Sequence, residues 1–174
     1  MKRLFSVLFL VLGLVSLASA QQPAQAQPSP AATASDKVGA GGAIITIVYH
    51  QPGVKGRKIF GGLVPYGEVW RTGANEATTF ECSGDVKVGG KVLKKGKYSL
   101  FTIPNEKGNW TVIFNKTVNQ WGAYDYKAAD DVLRIEAKTS KADKMYERMT
   151  FNVEKFNVEL LWDNLEVEFT IDTI

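Results

Sequence analysis

Val158-Glu159-Leu160-Leu161-Trp162-Asp163-Asn164-Leu165-Glu166-Val167-Glu168-Phe169 is the stretch that decides the fold class. Apolar residues recur at every second position, which is the period of a half-buried strand. The phase changes at Asp163-Asn164, a pair suited to the positive backbone angles of a two-residue hairpin. Folding there sets Trp162 opposite Leu165, Leu160 opposite Val167 and Val158 opposite Phe169. All six then share one face, while Glu159, Leu161, Glu166 and Glu168 take the other. A slip of one residue would mix the faces, so the pattern predicts a hairpin at this place.

The same alternation recurs upstream. Leu133, Ile135 and Ala137 alternate with charged or exposed positions, and so do Met149, Phe151 and Val153. Trp110, Val112 and Phe114 form another inward set. Tyr98 to Ile103 is apolar on both phases, as expected of a central strand. Gly89-Gly90 predicts a second tight turn, pairing Val86 with Leu93. Helical signal is confined to short pieces near Lys127–Asp131 and Lys141–Tyr146. About nine short strands at this spacing predict an all-β, two-layer antiparallel β-sandwich, with a closed barrel as the alternative.

The N-terminus carries a different signal. Lys2 and Arg3 precede an apolar run from Leu4 to Leu17, and Ala18-Ser19-Ala20 follows with small residues. That is the layout of a cleaved secretory signal peptide, residues 1–20. A hydrocarbon core needs about 20 apolar residues to cross, more than this run supplies. The expected product is exported, periplasmic or extracellular, with no stable membrane anchor after cleavage. Residues 21–41 are rich in Gln, Pro and Ala and read as a flexible tether. Residues 42–174 read as a single domain.

Charge excludes one class of partner. The formal net charge is +3. Loss of Lys2 and Arg3 leaves it near zero. Basic and acidic residues are interspersed, so no concentrated cationic face is available for nucleic acid. A single cysteine, Cys82, rules out a disulfide within the chain. Its strand phase, shared with Phe80, predicts a buried free thiol.

No recognisable catalytic set is present. A G-x-S-x-G elbow is missing. One histidine, His50, and one cysteine cannot build a His/Cys zinc site. Asp125, Asp130 and Asp131 match no calcium loop. The expectation is no catalytic residue, no metal and no cofactor.

Two loops carry more directed polar and aromatic groups than a connection requires. The first runs from Gly53 to Ala77 and holds Arg57, Tyr66, Trp70, Arg71, Asn75 and Glu76. The second is Asn119 to Tyr126. Loops on β scaffolds are common places for binding sites. Arg71, Asn75, Trp121 and Tyr124 are therefore the candidate ligand-binding residues, grouped at one end of the domain. The guanidinium would grip an oxygen-rich group and the aromatic rings an apolar face. The competing reading pairs Arg71 with Glu76 and uses Trp121 to cover the core. The ligand classes open to such a module are a small molecule, a glycan or a protein. A hydrolase using His50, Arg71, Asn75 and Glu76, and a purely structural envelope protein, are the alternatives.

The run Val54-Lys55-Gly56-Arg57-Lys58-Ile59-Phe60-Gly61-Gly62-Leu63-Val64-Pro65-Tyr66-Gly67, followed by Val69-Trp70-Arg71-Thr72-Gly73-Ala74-Asn75-Glu76-Ala77-Thr78, resembles the bacterial family called domain of unknown function 2911. Gly96-Lys97-Tyr98-Ser99-Leu100-Phe101-Thr102-Ile103-Pro104, Trp110-Thr111-Val112-Ile113 and Gln120-Trp121-Gly122-Ala123-Tyr124 extend the resemblance. It implies an exported, mostly β protein and assigns no site residues.

Overall fold

The computed structural model describes residues 28–174. The expected signal peptide and residues 21–27 of the expected tether lie outside the described residues. Nine strands run in chain order: β1 Ala31–Val38, β2 Ala43–His50, β3 Thr79–Cys82, β4 Val86–Val88, β5 Lys91–Leu93, β6 Gly96–Ile103, β7 Trp110–Asn115, β8 Asp131–Val153 and β9 Asn157–Thr173. One 3-10 turn, Ala128–Asp130, leads into β8. All pairings between these strands are antiparallel, and the spatial order is β1-β2-β3-β6-β7-β8-β9-β4-β5. The described residues are all-β, built on a single nine-stranded sheet that does not close into a barrel.

The expected two layers arise from one sheet folded over itself. β8 is the corner. Its residues 131–137 pair with β7, and its residues 138–153 pair with β9. A strand that changes neighbours in this way carries the chain from one layer to the next. Aromatic contacts cross between the layers. Tyr49 on β2 meets Phe151 on β8 at 5.0 Å, and Phe114 on β7 meets Phe169 on β9 at 6.3 Å. Two strands are far from short, with 23 residues in β8 and 17 in β9. Lys141–Tyr146, expected to be helical, lies within β8 where its register with β9 slips.

Asp163-Asn164 is not a hairpin turn. β9 runs through it, and Asp163 pairs with Tyr146 of β8. Asp163 has φ +55°, a left-handed residue inside a strand. It shifts the side-chain phase of β9 by one residue, and the extra residues of the irregular ladder lie opposite it on β8, between Lys141 and Tyr146 and between Tyr146 and Thr150. Val158, Leu160 and Trp162 before it, and Val167, Phe169 and Ile171 after it, are all buried. A left-handed residue within one strand and a two-residue turn thus predict the same apolar face, and alternation alone cannot separate them. The local signal still bends the chain. Glu159 and Glu166 bring carboxylate oxygens within 4.8 Å of each other. Seven residues of straight strand would separate their backbones by roughly 23 Å. The Gly89-Gly90 turn forms as expected, with φ +55° and +78° and Val86 opposite Leu93.

The tether expected over 21–41 is structured in its later part. Ala31–Val38 is β1, an edge strand paired along β2 from Ala31↔His50 to Val38↔Ala43. Its small side chains supply little apolar bulk, but strand addition needs backbone hydrogen bonds first. Ala32 and Ala34 pack partly on the core, and Val38 is fully buried.

The core holds Trp110, Trp162, Phe80, Phe101 and Phe114 as its largest fully buried side chains. Cys82 is a buried free thiol whose Sγ donates to the Lys94 carbonyl at 3.2 Å. Burial pushes its pKa up. Among the described residues no helix is long and apolar enough to cross a membrane.

Candidate functional site

β6 positions the first loop. β3 flanks it as far as Thr79↔Ser99, and Trp70 takes over beyond that. The Trp70 and Thr102 backbones exchange both hydrogen bonds, at 2.8 and 3.0 Å. The chain between Trp70 and Thr78 must therefore make a tight excursion and return. Thr72 and Asn75 take left-handed angles, φ +55° and +61°. Buried hydroxyls hold them: Thr78 Oγ1 donates to the Thr72 carbonyl at 2.8 Å. Such a fixed turn presents Arg71 and Asn75 from a rigid base.

The second loop lies against the first. The Ala77 N–H donates to the Gln120 carbonyl at 2.9 Å, and the Gly122 N–H donates to the Asn75 carbonyl at 3.0 Å. Glu76 and Trp121 form an isolated antiparallel bridge. At its far end the loop is tied to β8. The Tyr126 hydroxyl donates to Asp131 Oδ2 at 2.7 Å, and Arg134 donates to the Tyr126 oxygen at 2.6 Å. Burial first, then the bond to Asp131, pushes the Tyr126 phenol up to about 12. The Tyr126 ring also packs on Phe101 at 5.1 Å.

Of the four candidate residues, Arg71 and Tyr124 line one cavity of about 340 Å³, with Leu63, Glu68, Trp70 and Ala123 among its other walls. Asn75 does not line it and serves through its carbonyl. Trp121 lies outside it and is 59% exposed. Tyr124 is 82% exposed. Neither aromatic covers the core.

Arg71 borders a second cavity of about 200 Å³, whose walls include Pro52, Arg57, Leu63, Trp70 and Trp162. Leu63, Trp70 and Arg71 are shared between the two cavities. Behind them stands an aromatic group. Trp70 stacks on Trp162 at 5.8 Å with 18° between the planes, and Phe60 meets Trp110 edge-on at 5.0 Å.

The Arg71–Glu76 pair of the competing reading does not form. Glu76 Oε2 lies 3.3 Å from His50 Nδ1 instead. Among the described residues no hydrogen bond or ion pair engages the Arg71 guanidinium, and its Nε is buried. Leaving a buried charged donor unmatched costs free energy, more than for a neutral group. Trp162 Nε1 is likewise buried without an acceptor. Sequence reading missed Trp162 as a site residue because a core tryptophan and an unsatisfied one look alike in sequence.

His50 and Glu76 border a separate cavity of about 230 Å³ with Lys97 and Asn119. Of the four polar groups considered for a hydrolase, His50 and Glu76 border this cavity, while Arg71 borders the other two. Asp130 is held by Lys116 and Thr117, and Asp131 by Asn115, Tyr126 and Arg134. The grouping with metal-ligand proximity among the described residues is Glu159, Glu166 and Glu168, half-buried on the β9 bend.

Residues 29–171 match the family described as protein of unknown function (DUF2911), and the chain belongs to it. No curated protein and no solved structure matches the chain.

Proposed function

We propose that this chain is an exported, non-enzymatic ligand-binding module. Its contact surface is the junction of Gly61–Glu76 with Gln120–Tyr126, with Arg71 as the polar anchor and Tyr124 as an apolar wall. The observation that carries this reading is the Arg71 guanidinium, which borders two cavities and is matched by no protein acceptor. An arginine left this way in a concave, partly aromatic setting suits an oxygen-rich ligand. Native mass spectrometry of the protein from its own host tests the reading. A retained small mass is expected in the wild type and is expected to be lost in Arg71→Met. A mature N-terminus at Gln21 would support export.

A second reading has one observation in its favour. His50 Nδ1 at 3.3 Å from Glu76 Oε2 resembles the base and orienting carboxylate of a hydrolase. Loss of ester or amide turnover in His50→Ala, with melting unchanged, would favour it.

A further inference from the structure

We infer that the cavity of about 200 Å³ beneath Arg71 is a subsite for the carboxylate of a small, otherwise apolar organic acid. The inference rests on the reading of Arg71 as a ligand group and adds the ligand's chemical class. Two residues that line this cavity, Arg71 and Trp162, each carry a buried donor without an acceptor, Nε and Nε1. Buried donors are almost always paired in folded proteins. The Arg71 guanidinium, matched by no acceptor of the chain, is the group that an acceptor in this cavity would meet.

The walls fix the acceptor's character. Arg57 and Arg71 border the cavity, and no acidic residue does. Arg57 is itself held in place, donating through Nε to the Val54 carbonyl at 3.1 Å. Two guanidinium groups favour an anion over a neutral carbonyl. Pro52, Leu63, Val64, Trp70 and Ala74 make up most of the remaining wall and suit an apolar body. The volume is below the ~300–1,000 Å³ of sites for drug-sized ligands, so the occupant is small.

The test uses the full chain labelled with nitrogen-15, at constant ionic strength. Benzoate, benzamide and inorganic phosphate are titrated in turn, and the N–H resonances of Trp162 Nε1 and Arg71 Nε are followed. Benzoate is expected to move both in a saturable way. Benzamide has the same ring without the charge, and phosphate has charge without a ring. Each is expected to bind at least tenfold more weakly. Arg57→Met, a change at an exposed residue, is expected to weaken benzoate several-fold without altering the fold. Equal affinity for benzamide would overturn the anionic assignment. Both resonances unmoved by every probe would overturn the subsite. If host-retained ligand moves Tyr124 and Arg71 signals while Trp162 Nε1 stays fixed, the binding module stands and this inference falls.

Discussion

His50 Nδ1 lies 3.3 Å from Glu76 Oε2, and this contact removes the one acid that sequence reading had set against Arg71. The pair is partly exposed, with side chains 26% and 53% accessible. Exposed ion pairs contribute only about 0–1 kcal/mol. Glu76→Gln should therefore change urea stability by less than about 1 kcal/mol. It should also leave Arg71-dependent binding unaltered. A large loss of binding in Glu76→Gln would place the carboxylate in the ligand site after all.

Asp163 sits at φ +55° within β9. A left-handed conformation costs an L-residue about 1–2 kcal/mol, less for Asp and Asn, and glycine escapes it. A β-branched residue bears it worst. Asp163→Gly should be neutral or slightly stabilising, and Asp163→Val should lose about 1–2 kcal/mol or more. Denaturant midpoints of the two variants decide it. Equal stability for Gly and Val would mean that Asp163 is not left-handed in solution.

β1 contributes Val38, fully buried, and covers the edge of β2. Removing residues 1–41 deletes that strand and leaves Ile45 and Ile47 beside an open edge. Removing residues 1–27 leaves it intact. The shorter fragment should melt well below the longer one and aggregate more readily through β2. In the intact chain, Val38→Ala should lose about 1–3 kcal/mol from the buried methyl groups. Identical melting of the two fragments would return β1 to the status of a tether.

The sequence exposed those features that depend on side-chain period. Ile135 and Ala137, and Met149 and Phe151, are buried in alternation. Both halves of β8 were therefore legible, but not that they are one strand that changes neighbours. That fact depends on hydrogen-bond partners, which no local pattern carries. β1 was illegible because Ala, Thr and Ser hold it by backbone pairing. At the site, the two loops stood out by composition, and they do touch. The partner of Glu76 was not readable, since His50 reaches it from β2 across 26 residues of chain. The orphaned indole of Trp162 leaves no mark in sequence at all.

Tyr126 gives a pH-dependent expectation. Its phenol stands at about 12 in the folded chain, because of burial and its bond to Asp131. The unfolded value is about 10. A raised folded value means that the native state holds the proton more tightly. The stabilisation is complete below about pH 10 and is lost as pH rises through about 12. Titration of absorbance at 295 nm in wild type and Tyr126→Phe isolates the step. The missing tyrosinate step should fall near 12, and a step near 10 would show that the Asp131–Tyr126–Arg134 contacts are absent in solution.

Gly122 links the fold to the site. It has φ +65°, and its N–H holds the carbonyl of Asn75 at 3.0 Å. A Cβ placed there would stand 2.9 and 3.0 Å from two ring carbons of Tyr124, and 3.8 Å from Arg71 Nη1. Gly122→Ala therefore has two consequences. The backbone bears about 1–2 kcal/mol of left-handed strain. The Tyr124 ring, being mostly exposed, swings aside rather than resisting, and one wall of the larger cavity moves. Gly90→Ala is the control, with φ +78° and nothing within 4 Å of its Cβ. Both variants should lose similar stability in urea. Only Gly122→Ala should shift the Tyr124 ring resonances and weaken ligand retained through Arg71. If Tyr124 signals stay in place while stability falls equally in both, the ring does not stand over Gly122, and the wall assigned to Tyr124 is wrong.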